Sequence, residues 1–385
     1  MSNSKQNRSI NRNKLAYGRI VVKAGTNVIT STDGSLDPNI MNELVKQIVQ
    51  VRSLGAEVIL VTSGATSAGR EALGEQISGK AVPELQQLAA VGQSRLMHQY
   101  QAFFSSYHTT IAQALLTKRD VDERQGYLNI RNTLDGLIKR GVVPVINEND
   151  VVNVEELGQD GFGDNDQLSA LVANLVDADL LILLTSTGGL YTADPGRDPS
   201  AKLIDRVDSV DESILAMAEI HRGTNSRGGM RSKLEAARLA TSYGVTVIIT
   251  DASKPDRLQK LIEGYSFGTF FPTTVSRMES RKRWLLSGLA PGSGTVVIDE
   301  GAIKALRERT SSLLPAGIND VKGQFARGDV VLIARSNGEQ IAYGISNYSD
   351  TDVKALRGIK SNRIFEKLGH RFGDEVVHRN NMVVL

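Results

Sequence analysis

The chain has 385 residues, no cysteine, five histidines and a formal net charge of +2. This length allows two domains with full hydrophobic cores, and the lack of cysteine excludes disulfides, thiolate nucleophiles and cysteine-based zinc sites. The histidines are too scattered for metal-ligand spacing, so any metal here would take oxygen ligands, as magnesium does.

The polar N-terminal segment and the most apolar long segment of the chain give the first predictions. Residues 1–14 are polar and partly basic, which is typical of a disordered tail rather than a signal peptide. The most apolar long segment, residues 168–184, is interrupted by Asp177 and Asp179, so we expect no membrane span. Both features favour a cytoplasmic protein.

Strand and helix patterns alternate from Arg19 to Thr250. In chain order we predict a strand at 19–23, a helix at 39–54, a strand at 56–61, helices at 83–104 and 126–139, a strand at 142–146, a helix at 167–176, a strand at 180–184, a helix at 231–243 and a strand at 245–250. On the first helix, Ile40, Leu44, Ile48 and Val51 show helical apolar spacing. This alternation predicts an α/β fold: a three-layer, mostly parallel sheet with helices on both faces.

The pattern changes near Gly268. A basic junction at 276–284 is followed by short, glycine-rich strands at 294–298, 329–333 and 341–345, which is typical of a small β-rich domain. We therefore predict a tail at 1–14, an α/β domain at 15–274, a linker at 275–283 and a second domain at 284–385. The second part is mildly basic, which permits a nucleic-acid surface without favouring one.

Two acid-amide clusters lie within the α/β part. One follows the strand at 142–146 and the other opens the helix at 167–176; their members are Asn147, Glu148, Asn149 and Asp150, and Asp164, Asn165 and Asp166. Polar groups at the carboxyl ends of strands lie where open α/β sheets bind ligands. Either cluster alone is also explained as a polar loop with ordinary helix caps. As a pair they predict a site that binds a metal, an ammonium group or lysines.

Two lysines occur beside glycines. Lys23 leaves the first strand in the turn that contains Gly25, and Lys233 follows Gly228 and Gly229 at the start of a helix, where backbone amides favour anions. Singly, each is more often an exposed strand-end lysine or a glycine hinge. Together they place two cations at the ends of parallel strands.

This arrangement suits phosphoryl transfer, in which catalysis depends on positioning and on neutralising the moving phosphoryl group. The P-loop motif, a convincing dinucleotide fingerprint and the protein-kinase motifs are all absent from the sequence. If the acceptor is itself a carboxylate, it is already ionised and requires no general base. The lack of a catalytic histidine or cysteine is then understandable.

From about Arg19 to its C-terminus, the chain resembles the γ-glutamyl kinases (glutamate 5-kinases) of the amino acid kinase family, in their long form with a C-terminal PUA domain. The resemblance is carried by residues 22–26, 61–65, 68–70, 90–95, 144–150, 163–169, 189–195, 228–233, 281–284, 299–301 and 311–315. The Asn-Glu-Asn-Asp motif at 147–150 and the Gly-Asp-Asn-Asp motif at 163–166 are together the most specific. Either lysine loop alone would indicate only the wider family.

The resemblance implies roles for named residues. Lys23 and Lys233 would neutralise the transferred phosphoryl group, and Asp166 would orient both. The implied glutamate-binding set is Ser63, Asp150 and Asn165, with Asn147 and Asp164 nearby. The implied nucleotide-binding residues are Lys23, Thr185, Ser186, Arg227, Gly228, Gly229, Met230, Arg231, Ser232 and Lys233.

The implied reaction is ATP-dependent phosphorylation of the γ-carboxylate of L-glutamate to γ-glutamyl phosphate, the first step of proline biosynthesis, with Mg²⁺. The resemblance also implies a homo-oligomer (dimer or tetramer), feedback inhibition by proline, and transfer of the labile product to a reductase, glutamate-5-semialdehyde dehydrogenase. Ser186 stands where the family usually has Asp, and Arg227 follows Ser226 where Gly-Thr is commoner. We interpret both departures as altered nucleotide affinity rather than lost activity.

Two alternatives stay open at this point. One is another kinase of the same fold, acting on aspartate, N-acetylglutamate or UMP. The other is an RNA-binding protein that acts through the PUA domain. Because the sequence shows no interleaved aromatic and basic residues of the kind that stack on bases, it favours a structural or regulatory role for that domain, with no nucleic-acid partner.

Overall fold

The computed structural model describes residues 15–74, 81–153, 165–220, 229–251, 254–273, 275–276, 279, 294–309 and 311–385. The predicted tail and most of the predicted linker lie outside these ranges. The chain divides into two compact units, the first formed by Met1–Val121 and Ile130–Thr274 and the second by Asp122–Asn129 and Val275–Leu385. None of the described helices has the length and apolar character that crossing a membrane requires.

The first part of the chain alternates strands and helices. Its elements are β1 (Arg19–Ala24), α1 (Thr26–Ile29), α2 (Pro38–Ser53), β2 (Glu57–Thr62), α3 (Ala65–Leu73), α4 (Val82–Ser106), β3 (Ile111–Leu116), α5 (Lys118–Asp122), α6 (Arg124–Lys139), β4 (Val143–Glu148), α7 (Asn165–Leu175), β5 (Leu180–Leu184), α8 (Glu212–Ile220), α9 (Met230–Ser242), β6 (Thr246–Thr250), α10 (Arg257–Ile262) and β7 (Thr269–Phe271). Each predicted strand and helix of this part is present, with ends that differ by at most two residues.

The strands form one sheet in the order β3-β4-β2-β1-β5-β6-β7, and each neighbouring pair is parallel except β6 and β7. The predicted mostly parallel sheet is therefore confirmed. In its register, Ala24 at the end of β1 is level with Thr62 of β2 and Leu184 of β5. The residues that follow these strands consequently emerge at the same edge of the sheet.

The two faces of the sheet are covered by different helices. Ile20 and Val22 of β1 join a buried cluster with residues of α2 and α4. Side chains alternate between faces along a strand, so Lys23 extends to the other face, where α7 packs against β1 and α9. This alternation directs the Lys23 side chain towards the start of α7.

Helix α2 shows how the sequence specifies a local element. The Asp37 side chain accepts hydrogen bonds from the first-turn amides, and Pro38 occupies a position where its missing N–H costs nothing. The buried face includes Met41, Leu44, Ile48 and Val51. Of the four residues with helical apolar spacing, Leu44, Ile48 and Val51 are buried and Ile40 is exposed.

The sequence analysis did not predict helices α1, α3, α5, α8 and α10 or strands β3 and β7. Helix α3 contains Thr, Ser and Gly, which are weak helix formers, and it forms where it packs closely on α4. A Cβ at Gly69 would lie 1.9 Å from the Leu88 carbonyl oxygen, and one at Gly92 would lie 1.8 Å from that of Ala65. The two glycines thus permit a helix contact that holds α4 across the sheet edge.

The second unit contains β8 (Thr295–Ile298), α11 (Glu300–Arg309), β9 (Ile318–Lys322), β10 (Val330–Arg335), β11 (Gln340–Ile345), α12 (Asp350–Leu356), α13 (Ile364–Leu368) and β12 (Met382–Val384). Its strands form a sheet of their own, in the order β12-β11-β10-β8-β9. Apolar residues from this sheet and its helices form a separate buried cluster. The predicted small β-rich fold is confirmed.

Candidate active site

The structure brings Lys23, Asp166 and Lys233 together in one buried group. Lys23 Nζ lies 2.5 Å from Asp166 Oδ1, and Lys233 Nζ lies 3.1 Å from Asp166 Oδ2. The Ser232 hydroxyl donates to the same Oδ2 at 2.7 Å. All three charged residues are at least nine-tenths buried. We call Lys23, Asp166, Ser232 and Lys233 the charged cluster.

The electrostatics of this cluster depend on Asp166. Burial by itself raises the pKa of the Asp166 carboxyl, but the positive charges of Lys23 and Lys233 lower it by more, so its pKa lies well below the ordinary value. The carboxylate is therefore ionised at neutral pH. One negative charge between two ammonium groups leaves a local excess of positive charge, which suits an anionic ligand such as a phosphate.

Local sequence explains how these side chains meet. A Cβ at Gly25 would lie 3.1 Å from Lys23 Nζ, so the glycine leaves room for the ammonium group. Helix α9 begins at Met230, directly after its N-cap Gly229, and Lys233 stands in the first turn. The amino ends of α7 and α9 thus lie at the same place. The backbone N–H groups and the dipole at the amino end of a helix favour negative charge.

A second buried group consists of neutral side chains. The Asn165 Nδ2 group donates to Ser63 Oγ at 3.0 Å and to Asn147 Oδ1 at 3.1 Å, and the Asn147 Nδ2 group donates to Gln93 Oε1 at 2.7 Å. Asn147 and Asn165 are almost completely buried. We call Ser63, Gln93, Asn147 and Asn165 the amide cluster.

The two clusters are joined through consecutive residues of α7, because Asn165 belongs to one and Asp166 to the other. A helix turns by about 100° per residue, so neighbours in its first turn point to different sides. Ser63 reaches the site because it directly follows β2, and its N–H donates to the Ala24 carbonyl at 3.1 Å. The site therefore lies at the carboxyl edge of β1, β2 and β4.

Acidic residues extend the amide cluster beyond the end of β4. Glu148 is buried and accepts a hydrogen bond from Asn153. Asp150 is half-buried, and its backbone carbonyl accepts from Gln86 Nε2 at 3.2 Å. Asp150 follows β4, which ends at Glu148, so its carboxylate adds negative charge at the sheet edge where the amide cluster lies. This combination suits a zwitterionic small molecule.

A cleft of about 680 Å³ opens along the same sheet edge, beyond β5 and β6. Its lining includes Ser186, Tyr191, Asp251, Arg257 and Phe267. The Arg257 guanidinium lies 4.5 Å from the Phe267 ring centroid and pairs with Asp251 at 3.2 Å. A planar aromatic ligand with hydroxyl groups has both an apolar surface and polar partners here.

The predicted site residues fall into several groups. The structure assembles Lys23, Asp166, Ser232 and Lys233, and separately Ser63, Asn147 and Asn165. Thr185 and Ser186 follow β5; Thr185 N–H donates to the Thr250 carbonyl at 2.9 Å, and Ser186 lines the cleft. Gly229, Met230 and Arg231 form the start of α9, where Arg231 pairs with Glu235. Asp164, Arg227 and Gly228 lie outside the described residues.

Sequence reasoning gave no role to Gln93, Asp251 or Arg257. Asp251 directly follows β6, just as Thr185 follows β5. Polar residues that follow buried strands mark the ligand edge of an α/β sheet, so the sequence could have indicated Asp251. Gln93 lies within the segment 90–95 but was only part of the family pattern. The hydrogen bond between Gln93 and Asn147 depends on where α4 passes the end of β4. No local sequence pattern encodes this crossing.

Comparisons with known proteins assign both parts of the chain to families. The model of the amino acid kinase family matches residues 18–251, and that of the PUA domain matches residues 294–367. A glutamate 5-kinase of Dehalococcoides mccartyi (strain CBDB1) is 47% identical over 97% of this chain and 100% of its own length.

Two further relatives extend the comparison. The glutamate 5-kinase of Moorella thermoacetica is 44% identical over 95% of this chain and 96% of its own length. That of Deinococcus radiodurans is 45% identical over 95% of this chain and 100% of its own length. Identity of this order over almost the full length, together with the family match, shows that the chain belongs to the glutamate 5-kinases of the amino acid kinase family.

Proposed function

We propose that the protein transfers the γ-phosphoryl group of ATP to the γ-carboxylate of L-glutamate, giving γ-glutamyl phosphate and ADP. The observation that carries the proposal is the Asp166 carboxylate with a lysine on each side, 2.5 Å and 3.1 Å away, at the amino ends of α7 and α9. Phosphoryl transfer needs fixed positive charge of this kind around the moving group.

The acceptor is expected to lie between the two clusters. The amide cluster and Asp150 would bind the α-carboxylate and the ammonium group of glutamate, which leaves the γ-carboxylate directed towards Lys23 and Lys233. In the reaction one carboxylate oxygen attacks the γ-phosphorus as the bond to the ADP oxygen breaks. Since the attacking oxygen is already ionised, no side chain has to accept a proton.

The nucleotide would lie along the edge from the charged cluster to the cleft beyond β5 and β6. The phosphates fit the positive ends of α7 and α9, and the base fits beside Phe267 and Arg257. Ser186, which replaces the usual Asp, offers a hydroxyl at the rim of the cleft. We expect weaker ribose or base contacts there, which would appear as a raised KM for ATP.

Mg²⁺ would reach the site bound to the nucleotide. The described residues contain no group of three His, Asp or Glu side chains that could hold a metal, and both Asp166 oxygens already contact cations or a hydroxyl. This donor set suits a metal held mainly by phosphate oxygens and water, as Mg²⁺ often is. The ion would neutralise nucleotide charge opposite the lysines.

Proline is proposed as a feedback inhibitor that binds where glutamate binds. It carries the same α-carboxylate and a cationic nitrogen but has no γ-carboxylate to phosphorylate. Steady-state inhibition should therefore be competitive with glutamate and not with ATP. Inhibition that persists undiminished at saturating glutamate would contradict a shared site.

Three broader proposals accompany the reaction. The kinase domain would span residues 15–274 and the PUA domain residues 284–385, which the family matches at 18–251 and 294–367 support. The protein would act in the cytoplasm as a dimer or tetramer. Because an acyl phosphate hydrolyses readily, its product would pass to a reductase such as glutamate-5-semialdehyde dehydrogenase.

The decisive experiment traps the product. The protein is supplied with ATP, Mg²⁺, hydroxylamine and, in separate reactions, glutamate, aspartate or N-acetylglutamate, and the hydroxamate is measured; UMP is tested by ADP release. Hydroxamate with glutamate alone is the expected result. Turnover with another acceptor, or none with glutamate, would overturn the proposal.

A further inference from the structure

Gln93 joins the amide cluster from a helix that carries none of its other members. It stands on α4, whereas Ser63, Asn147 and Asn165 belong to the ends of β2 and β4 and to α7. Its Oε1 atom accepts a hydrogen bond of 2.7 Å from Asn147 Nδ2. Among the described residues, the Gln93 Nε2 group is buried without a hydrogen-bond acceptor, so its oxygen is the atom that connects Gln93 to the cluster.

The direction of this hydrogen bond follows from the backbone. The Asn147 Oδ1 atom accepts from the backbone N–H of Glu148 at 2.9 Å, and a backbone N–H can only donate. The oxygen of the Asn147 amide must therefore face that N–H, and its nitrogen must face Gln93. The Gln93 amide must therefore direct its oxygen, Oε1, towards Asn147 Nδ2.

The orientation of the Asn147 amide also determines the hydrogen bonds to Asn165 and Ser63. With its oxygen held in place, Asn147 also accepts from Asn165 Nδ2 at 3.1 Å, and the same Nδ2 donates to Ser63 Oγ at 3.0 Å. If Gln93 no longer offered an acceptor, the Asn147 Nδ2 group would be left buried without a partner. A buried unsatisfied donor is costly enough to favour rotation of the amide or entry of water.

We propose that Gln93 is a positioning residue for the amino-acid substrate. It fixes the Asn147 amide and, through Asn147, the direction in which Asn165 and Ser63 present their polar atoms. The proposal rests on the proposed function, because it takes the amide cluster as the half-site that binds glutamate. It concerns substrate binding and leaves the charged cluster unaffected.

The test compares one substitution at two positions of the same helix. Gln93→Met keeps the length of the side chain and removes its acceptor. Gln101→Met is the matched control, because Gln101 is exposed and its side chain, among the residues that the structure describes, donates to Ser105 Oγ at 2.9 Å and has no contact with the amide cluster. Initial rates by the hydroxamate assay give kcat and KM for each substrate, and thermal unfolding reports stability.

Gln93→Met should raise the KM for glutamate by about tenfold to a hundredfold, the loss expected when a buried donor is left unsatisfied. The KM for ATP and kcat should stay within about threefold, because the lysines and Asp166 are untouched. Gln101→Met should match the wild type throughout. An unchanged KM for glutamate in folded Gln93→Met protein would overturn the proposal.

A double-mutant cycle tests whether Gln93 acts through Asn147. Asn147→Ala alone should raise the KM for glutamate, and adding Gln93→Met should raise it no further, since the residue that Gln93 positions is already absent. Effects that multiply would show that Gln93 acts independently of Asn147 and would contradict the proposed connection.

A second variant covers the case in which Gln93→Met does not fold. Gln93→Glu retains an acceptor for Asn147 Nδ2, so its KM for glutamate should lie closer to that of the wild type than to that of Asn147→Ala. A Gln93→Glu protein as impaired as Asn147→Ala would overturn the proposal. Wild-type protein that forms no hydroxamate with glutamate would overturn the proposed function as well, which separates the two failures.

Discussion

The charged cluster and the amide cluster begin at the same edge of one sheet but are built from different chemistry. The charged cluster places a carboxylate between two ammonium groups, with contacts of 2.5 and 3.1 Å. The amide cluster holds neutral side chains through hydrogen bonds of 2.7 to 3.1 Å. In both clusters most polar side-chain atoms contact another side chain in place of water.

This difference predicts a division of work. Fixed charge lowers the energy of the transition state more than that of the bound substrate, because phosphoryl charge is redistributed only as the reaction proceeds. Neutral hydrogen bonds hold the parts of glutamate that do not react. They therefore stabilise the bound substrate and the transition state equally. Damage to the charged cluster should therefore lower kcat, whereas damage to the amide side should raise the KM for glutamate.

The largest effect is expected for Asp166→Asn. Two buried lysines would lose their shared counter-charge, and kcat should fall by roughly 10³-fold because both cations lose their fixed positions. Removing one partner of a buried ion pair should also cost about 3–5 kcal/mol of the free energy of unfolding. Urea unfolding and the hydroxamate assay measure the two effects.

A charge-matched variant separates stability from catalysis. Asp166→Asn combined with Lys233→Met restores the net charge of the cluster and should regain part of the lost stability without regaining activity.

The stability that Asp166 contributes should depend on pH. Because the folded-state pKa of Asp166 lies below its ordinary value of 3.8, its contribution to the free energy of unfolding is present above about pH 4 and is lost as the pH falls through the folded pKa. The stability difference between wild type and Asp166→Asn should thus shrink below pH 4; a constant difference would contradict this.

Lys23→Met and Lys233→Met should come next. Each removes one cation from the phosphoryl site and keeps most of the side-chain volume, so kcat should fall by roughly 10² to 10³-fold with the KM for glutamate within about threefold. Lys46→Met, an exposed change on α2, is the control. A folded variant with near-normal kcat would exclude that lysine from catalysis.

Asp150→Asn tests the other side of the comparison. Losing the carboxylate that would hold the substrate ammonium should raise the KM for glutamate and the inhibition constant of proline together, by about tenfold to thirtyfold. The KM for ATP should not change. Asp208→Asn alters an exposed carboxylate of the same domain and should have no effect. A main effect on ATP would reverse the assignment of the two half-sites.

The smallest effect is expected from truncation after Thr274. Residues of both clusters belong to the first compact unit, so the shortened chain should fold and keep kcat and the KM for glutamate within a few-fold. Oligomeric assembly or inhibition by proline should change more on truncation than kcat or the KM for glutamate. Circular dichroism checks folding, and complete loss of turnover in a folded truncate would show that the domains are not independent.

The sequence predicted most of the sheet because its strands are short apolar runs between helical patterns, and such patterns are local. It also indicated where Asn147 and Asp150 would emerge, since polar residues after a buried strand mark the ligand edge of an α/β sheet. It indicated Ser63 and Thr185 only through the family resemblance. It missed α3 because Gly69 weakens the local helix signal, and the contact with α4 that stabilises α3 joins distant segments.

Tertiary structure decided which of these side chains meet. Strand β1 lies between β2 and β5, and this order brings Lys23 beside the start of α7, where Asp166 contacts it. The amino end of α9 supplies Lys233 from a distant part of the chain. The hydrogen bond between Gln93 and Asn147 likewise requires α4 to pass the end of β4. Strand order and helix crossing are set by long-range packing, which local patterns of residues do not encode.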